Sequence, residues 1–174
     1  FGVGLVVYLA TRTTRGRYYL DMLLLKLPIL GRVLLLSELA RDCRNIALLF
    51  KAGLPLPEIM TLTGQASGNM VVTRALSAVE GDMIKGEGLA GPMRKRPIFL
   101  PMMVEMTKVG EETGALDSTL VTVAETFEVE VDRRVQALLS MLEPAMTIAL
   151  GIGVAFVALS LFMPLYGSLS RIGG

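Results

Sequence analysis

Residues 145–167 read AMTIALGIGVAFVALSLFMPLYG, and no charged residue occurs between Pro144 and Ser170. A helix needs about 20 apolar residues to cross a hydrocarbon core of roughly 30 Å, and this run is long enough. The alternative, a buried helix of a soluble protein, seldom stays apolar on all sides over such a length. The run therefore predicts a C-terminal transmembrane helix at 143–166, followed by a short periplasmic tail at 167–174.

Two glycines lie inside this helix and a proline lies at its start. Gly151 and Gly153 would let another membrane helix approach closely. Pro144 removes one backbone donor and predicts a kink near the membrane boundary. Glu143 beside it either marks a subunit contact or extends its carboxylate to the headgroups. We therefore expect Gly151, Gly153 and Pro144 to be helix-packing positions.

The chain opens with a second apolar stretch, FGVGLVVYLA, which is too short to span a membrane. Arg12, Arg15 and Arg17 follow it, and positive charge beside a membrane helix marks the cytoplasmic side. Residues 1–10 are therefore predicted to end a transmembrane helix whose start is missing, and 11–36 to form a cytoplasmic connector. The last helix then leaves the cytoplasm, which makes the protein multi-pass.

The composition excludes several classes of function. A mean hydropathy of +0.58 with 52% hydrophobic residues favours a membrane protein. The net charge of +1 gives no indication of nucleic acid as a partner. Cys43 is the only cysteine, so an internal disulfide is impossible, and the chain has no histidine. A Ser-His-Asp or Cys-His catalytic site therefore cannot be built from this chain alone.

The middle of the chain has helical periodicity throughout. Leu39, Cys43, Ile46 and Phe50 recur at steps of four, three and four, which is one face of a helix. No alternating apolar run indicates a strand. The predicted fold class is all-α, an antiparallel helical bundle in the cytoplasm at 37–142, flanked by transmembrane helices.

Capping residues predict where the individual helices begin and end. The predicted starts are Ser37, Pro57, Asn69, about Met102 and Asp117; the predicted ends are Gly53, Gly86, and Gly110 or Gly114. The helix capped by Asp117 is predicted to be long and to bury a stripe that extends from Leu120 to Leu142. It is expected to run on into the membrane.

Two glycine-bounded motifs carry acidic residues. Gly86-Glu87-Gly88 lacks the Lys-Ser/Thr ending of a phosphate loop and is interpreted as a helix stop with a tight turn. Glu111 and Glu112 stand between Gly110 and Gly114, where a carboxylate pair can do acid–base work or hold a hard cation. Adjacent helical residues point about 100° apart, so a polar contact at the helix junction or a contact with a partner is the preferred interpretation.

Two charged helix faces are further candidates for partner contact. Glu125, Glu128 and Asp132 share one side of the long helix, and Arg41, Arg44 and Lys51 lie on the first bundle helix. Each face is either merely solvated or docks a partner of opposite charge. The partner-contact candidates are Glu111, Glu112, Glu125, Glu128, Arg41 and Arg44.

An ordered series of short motifs resembles the type II secretion F domain family from Leu27 onwards. The series comprises Leu27-Pro28-Ile29-Leu30-Gly31, Ala52-Gly53-Leu54-Pro55-Leu56, Gly86-Glu87-Gly88-Leu89, Phe99-Leu100-Pro101, Gly110-Glu111-Glu112-Thr113-Gly114-Ala115-Leu116, Leu142-Glu143-Pro144 and Met163-Pro164. This family comprises the inner-membrane platform proteins of type II secretion systems and type IV pili. Its members carry two copies of the cytoplasmic domain and three membrane helices, so this chain resembles the C-terminal half.

The resemblance implies an assembly platform in the bacterial inner membrane and not an enzyme. It also implies the partners: a hexameric assembly ATPase, pilins or pseudopilins, other inner-membrane platform proteins, membrane lipid and further copies of the same chain. No catalytic, metal or cofactor-binding residue is expected. The alternatives are a transporter or channel subunit lined by the last helix, and a membrane-bound enzyme that uses Glu111 and Glu112.

Overall fold

The computed structural model describes residues 14–27 and 30–172, and describes side chains at 16–27 and 30–160. The predicted end of a membrane helix at 1–10 lies outside these residues. In the described ranges the chain forms seven helices and no strand, which confirms the all-α prediction. The helices are α1 (Thr14–Leu25), α2 (Leu30–Lys51), α3 (Leu56–Ala66), α4 (Met70–Met83), α5 (Ala90–Arg94), α6 (Pro101–Thr113) and α7 (Leu116–Ile172).

The chain divides into two compact units, one that ends at Asp132 and one that begins at Arg133. In the first unit, consecutive helices from α1 to α6 pack against each other, and α1 also packs against α4. Its core is formed by side chains that are almost wholly removed from water, among them Leu39, Ile46, Leu76, Met103 and Leu120. Burial of large apolar side chains is the main stabilising contribution to such a unit.

The predicted helix over Ser37–Gly53 is longer than expected. α2 begins at Leu30, so Ser37 lies inside it and does not cap its start. The reason is that apolar periodicity continues N-terminally through Leu36, which is buried, and a capping residue has no effect where the helix continues past it. Gly53 ends the helix with φ +83°, as predicted.

Capping residues fix the next helices as the sequence indicates. The Asn69 side chain accepts hydrogen bonds from the backbone N–H groups of Val71 and Val72 at the start of α4. Pro57 lies in the first turn of α3, where its missing donor costs nothing. α4 ends at Met83, and Gly86 closes the following turn with φ +92°.

The junction between α6 and α7 corrects the assignment of Asp117. α6 ends at Thr113 with Gly114 in the left-handed conformation, φ +71°. α7 already begins at Leu116, so Asp117 is a first-turn residue and does not cap the helix. Gly110 lies inside α6, where a Cβ atom would come within 2.8 Å of the Leu116 Cα atom and would also meet Thr119. This glycine therefore lets the two helices approach closely.

The buried stripe of α7 is shorter than predicted. Leu120 and Phe127 are buried, whereas Val135 and Leu142 are 37% and 54% exposed. Periodicity alone indicates an apolar face without showing whether other parts of this chain cover it. The stripe is buried as far as Phe127 and is exposed at its far end.

The second unit consists of the C-terminal part of α7. α7 is helical through Pro144 and continues to Ile172, beyond the predicted end at 166. Its large apolar side chains between Met146 and Leu159 are 57–72% exposed. It is the one helix of the described chain that is long and apolar enough to cross a membrane.

Candidate partner-binding surface

Four of the six predicted contact residues lie together on the first unit. Arg41 and Arg44 belong to an outward stripe of α2 that continues through Leu48 and Lys51 at steps of three and four. Glu125 and Glu128 belong to the part of α7 that precedes Asp132. We call these two stripes and the space between them the α2/α7 groove.

An ion pair joins the two sides of this groove. The Arg44 guanidinium donates to both carboxylate oxygens of Glu128, with Nη2 at 2.7 Å from Oε1 and 2.7 Å from Oε2. The hydrogen bond to Glu128 raises the pKa of Arg44 above its usual value, and the Glu125 carboxylate adds to the effect. Both side chains of the pair are about half exposed, so the pair orients the side chains more than it stabilises the fold.

Two cavities adjoin the Arg44 side chain. One, of about 270 Å³, is lined by Ser37, Ala40, Arg41, Arg44, Glu128, Val131 and Asp132. The other, of about 460 Å³, is lined by Arg44, Ala47, Leu48, Lys51, Asp117, Ser118 and Val121. Leu48 is 61% exposed beside the second cavity. The groove thus offers an exposed apolar side chain within its basic stripe and an acidic stripe opposite, a composition suited to a protein partner.

The two remaining acidic candidates have separate surroundings. The Glu111 carboxylate accepts hydrogen bonds from the backbone N–H groups of Leu89 and Ala90, the latter at 2.8 Å. Glu111 therefore caps the start of α5. It also brings the two glycine-bounded motifs together, since a Cβ atom at Gly88 would lie 2.8 Å from the Glu111 Oε1 atom. Glu112 is exposed and lies 3.7 Å from the Lys108 ammonium.

This geometry decides between the interpretations of the acidic pair. Glu111 makes a polar contact within the chain, but with the start of α5 instead of with the α6–α7 junction, and Glu112 is exposed. The two carboxylates have different partners and do not converge on a shared site. Among the described residues, no group of three or more His, Cys, Asp or Glu side chains is arranged to hold a metal ion.

Sequence reasoning missed two buried acids on α2. Glu38 is 8% exposed, and its Oε1 accepts hydrogen bonds from the Ser67 hydroxyl at 2.7 Å and from the Gly68 N–H. Asp42 is wholly buried, and neither carboxylate oxygen has a hydrogen-bond partner. Asp42 could have been noticed, because it lies three residues after Leu39 and four before Ile46, inside the apolar stripe.

Burial changes the acid–base properties of α2 at this point. Desolvation, with a further contribution from the Glu38 carboxylate, raises the pKa of Asp42 to about 8, although Arg41 opposes the shift. Burial also raises the pKa of the Cys43 thiol, so this cysteine is poorly nucleophilic. Asp42 is consequently mostly protonated at neutral pH.

The two glycines of the second unit lie on different faces of α7. Residues two apart on a helix point about 200° apart. Gly153 lies in an open depression of about 740 Å³ whose lining also includes Met146, Ala149, Leu150, Val154, Val157 and Ala158, and Gly151 is not part of it. A Cβ atom at either glycine would meet nothing within 4 Å. Gly153 therefore belongs to this depression, and Gly151 lies on another face of the same apolar helix.

Comparison with known proteins identifies the family. Residues 42–164 match the family described as "Type II secretion system (T2SS), protein F". The chain belongs to this protein F family. The match begins at the buried Asp42 and ends at Pro164, so it covers most of the first unit and the apolar segment of α7.

Curated relatives in this family carry assembly and secretion names. The chain is 35% identical to the type IV pilus assembly protein PilC of Pseudomonas aeruginosa over 95% of its length and 45% of the relative. It is 37% identical to PilC of Thermus thermophilus over 88% of its length and 38% of the relative. It is 30% identical to the type II secretion system protein F of Xanthomonas campestris over 93% of its length and 40% of the relative.

The protein F chain described here spans less than half the length of these relatives. Membership of the family, which the ordered motifs predicted, is confirmed.

Proposed function

We propose that the chain is part of an inner-membrane assembly platform of a type IV pilus or type II secretion system. In this role it links a cytoplasmic hexameric ATPase to the polymerisation of pilins or pseudopilins, and it has no catalytic activity of its own. The observation that carries the proposal is the family match over residues 42–164, together with relatives named for pilus assembly and type II secretion.

The architecture supports a platform role. α7 supplies core residues such as Leu120 and Phe127 to the first unit and also contains the segment that is apolar enough to cross a membrane. In the proposed role, a helix that contributes both to a folded core and to a membrane crossing would tie the first unit to the membrane.

Deletion of the gene tests the function in the organism. We expect the deletion strain to lose surface pili or secreted enzyme, while pilins or pseudopilins accumulate in the inner membrane. The full-length protein supplied from a plasmid should restore both. Normal filaments and normal secretion in the deletion strain would refute the proposal.

The α2/α7 groove is the surface that we propose for the ATPase or for a second platform copy. Glu128 is already bonded to Arg44, so its charge reversal would break an internal pair as well as alter the surface. Glu125 is exposed and forms no such bidentate pair, which makes Glu125→Lys the more direct test. The exchange Arg44→Glu with Glu128→Arg keeps the internal pair and reverses the charges that a partner would meet.

Copurification from membranes measures the contact. We expect Glu125→Lys to reduce the recovered ATPase by about fivefold, since a charge at the rim of an interface contributes on the order of 1 kcal/mol. The Arg44/Glu128 exchange should also weaken recovery, although the fold stays intact. Glu112→Lys serves as the comparison: if it alone weakens recovery, the contact lies at the α6–α7 junction instead of the groove.

The transporter alternative has no supporting observation. Ion and proton paths through membrane helices are marked by ionisable side chains within the hydrocarbon core. No charged residue occurs between Pro144 and Ser170.

A further inference from the structure

α1 (Thr14–Leu25) exposes an apolar face although it belongs to the first, well-packed unit. Its Tyr19 is 69% exposed, Leu23 65% and Leu24 45%. Single exposed apolar residues are common on soluble proteins and need no explanation. Three large side chains within two turns of one helix form a contiguous patch, which marks an interaction surface.

The opposite face of α1 is held by specific contacts with α4. Asp21 accepts a hydrogen bond from the Met70 N–H at 2.8 Å, and the Arg74 guanidinium lies 4.0 Å from the centre of the Tyr18 ring. At the C-terminal end of α1, the Leu25 carbonyl group comes so close to Gly31 that a Cβ atom there would lie 2.6 Å from the Leu25 carbonyl carbon. These contacts fix which side of α1 faces outwards.

Charged residues border the outward face on both sides. At about 100° per residue, Tyr19, Leu23, Leu20 and Leu24 span an arc of roughly 140°. Arg17 and Lys26 lie at the two edges of this arc and are about 180° apart on the helix. Both are exposed. An apolar strip with a basic residue along each edge is the pattern of a helix that lies in the plane of a membrane surface.

The position of α1 in the sequence indicates the same partner. Only Thr11, Arg12 and Thr13 separate α1 from the uncharged stretch FGVGLVVYLA. Fully extended, this connection reaches about 14 Å. If residues 1–10 end a membrane helix, as the sequence predicts, the start of α1 lies within about 14 Å of the end of that helix and therefore close to the membrane surface. A tyrosine in the patch is also well suited to that region, since its ring is amphipathic.

We infer that the outward face of α1 binds the anionic cytoplasmic surface of the membrane, with Tyr19, Leu23 and Leu24 inserted among the lipids and Arg17 and Lys26 paired with acidic headgroups. Contact between this face and the lipid holds the first unit against the membrane. The inference does not depend on the proposed role in pilus assembly or secretion.

The test uses the full-length protein reconstituted in vesicles of phosphatidylcholine mixed with phosphatidylglycerol. Single cysteines are introduced by Tyr19→Cys or Leu23→Cys and carry a nitroxide label, while the native Cys43 is buried and resists labelling. Collision of the label with oxygen, which concentrates in lipid, is compared with collision with a water-soluble nickel chelate. Ile84→Cys is the matched control, because Ile84 is an exposed apolar residue of the same unit outside the patch (71% exposed).

We expect oxygen to dominate at positions 19 and 23 and the nickel chelate to dominate at position 84. In the double variant Arg17→Glu with Lys26→Glu, the ratio of oxygen collisions to chelate collisions at position 23 should fall by roughly fivefold for each basic side chain. This is the equivalent of about 1 kcal/mol per charge. The shift should be small in vesicles of phosphatidylcholine alone. A label at position 23 as accessible to the chelate as the control would overturn the inference, and a label shielded from both reagents would assign the face to a protein partner instead.

Discussion

At the residue scale, Asp42 has the least favourable surroundings of any described acidic side chain. It is wholly buried on α2, its carboxylate has no hydrogen-bond partner, and Glu38 adds negative charge one turn away. Burial of an ionised carboxylate is so costly that the group takes up a proton instead. The structure accordingly holds Asp42 in its neutral form near pH 7.

The folded protein should lose stability as the pH rises through the neutral range. The Asp42 pKa is about 8 in the folded state and 3.8 in a freely solvated chain, so the folded state retains a proton that the unfolded chain releases. The free energy of unfolding therefore falls between about pH 4 and pH 8. Asp42→Asn should remove this dependence, and thermal unfolding in detergent should show that the stability of the variant relative to the wild type increases from pH 5 to pH 8.

Asp82 provides a control of opposite sign. Hydrogen bonds from Arg96 and from Lys85 lower its pKa below the ordinary value. Its contribution to stability is present above the ordinary pKa and disappears as the pH falls through the lowered one. Asp82→Asn should therefore destabilise the protein at neutral pH. Equal pH profiles for the Asp42 variant and the wild type would contradict the assignment of a buried proton.

At the element scale, Glu111 connects two segments that are distant in the sequence. It extends from α6 to the first turn of α5, where two backbone N–H groups would otherwise lack acceptors. We expect Glu111→Ala to lower the free energy of unfolding by about 1–2 kcal/mol, and Glu111→Gln by less, because an amide still offers one acceptor. Denaturant titration of the purified protein measures the change.

Glu112→Ala is the matched control for the Glu111 variants. The Glu112 carboxylate is exposed and lies 3.7 Å from the Lys108 ammonium group. A pair of this kind contributes a few tenths of a kcal/mol at most. Equal destabilisation by the two alanine variants would show that the cap on α5 does not hold in solution.

The membrane segment of α7 allows a comparison of its two glycines. Gly153 lies on the face that also carries Ala149 and Val157, whereas Gly151 does not. If a pilin or pseudopilin helix packs on that face, Gly153→Leu should reduce surface filaments or secretion by more than tenfold, and Gly151→Leu should have little effect. Immunoblots of the membrane fraction check that both variants accumulate equally. Similar losses in both variants would argue against a single packing face.

At the scale of the whole molecule, the topology can be tested with single cysteines. The positive residues at the N-terminal end predict that the first unit lies in the cytoplasm, and one crossing by α7 would then place position 168 outside. We expect a membrane-impermeant maleimide added to intact spheroplasts to label Ser168→Cys and to label Ser118→Cys only after lysis. The buried Cys43 should give no background signal. Labelling of Ser118→Cys before lysis would reverse the orientation.

Much of the fold follows from local patterns. Asn69, Pro57, Gly53 and Gly114 act within one helical turn, so the sequence alone locates the helix ends that they cause. Ser37 was misassigned for the same reason, because a residue that can cap a helix does so only where the helix ends. The apolar stripe of α7 was assigned correctly as far as Phe127, and only the fold shows that it is half-buried at Val131 and exposed at Val135 and Leu142.

The candidate contact residues depended more strongly on the fold. The sequence placed Arg44 and Glu128 on separate helices, each with an unknown partner. Folding brings them within 2.7 Å of each other across 84 residues of chain. Glu111 likewise looked like one of an acidic pair until the fold brought it to the start of α5.

By itself, the sequence determined the all-α class, the C-terminal segment that is long and apolar enough to cross a membrane, and the family, because helical periodicity, uninterrupted hydropathy and short ordered motifs are properties of neighbouring residues. The tertiary structure decided which charges are satisfied within the chain, which acid is buried without a partner, and which face of α1 remains exposed. These properties depend on residues that are far apart in the sequence, and only packing brings them together.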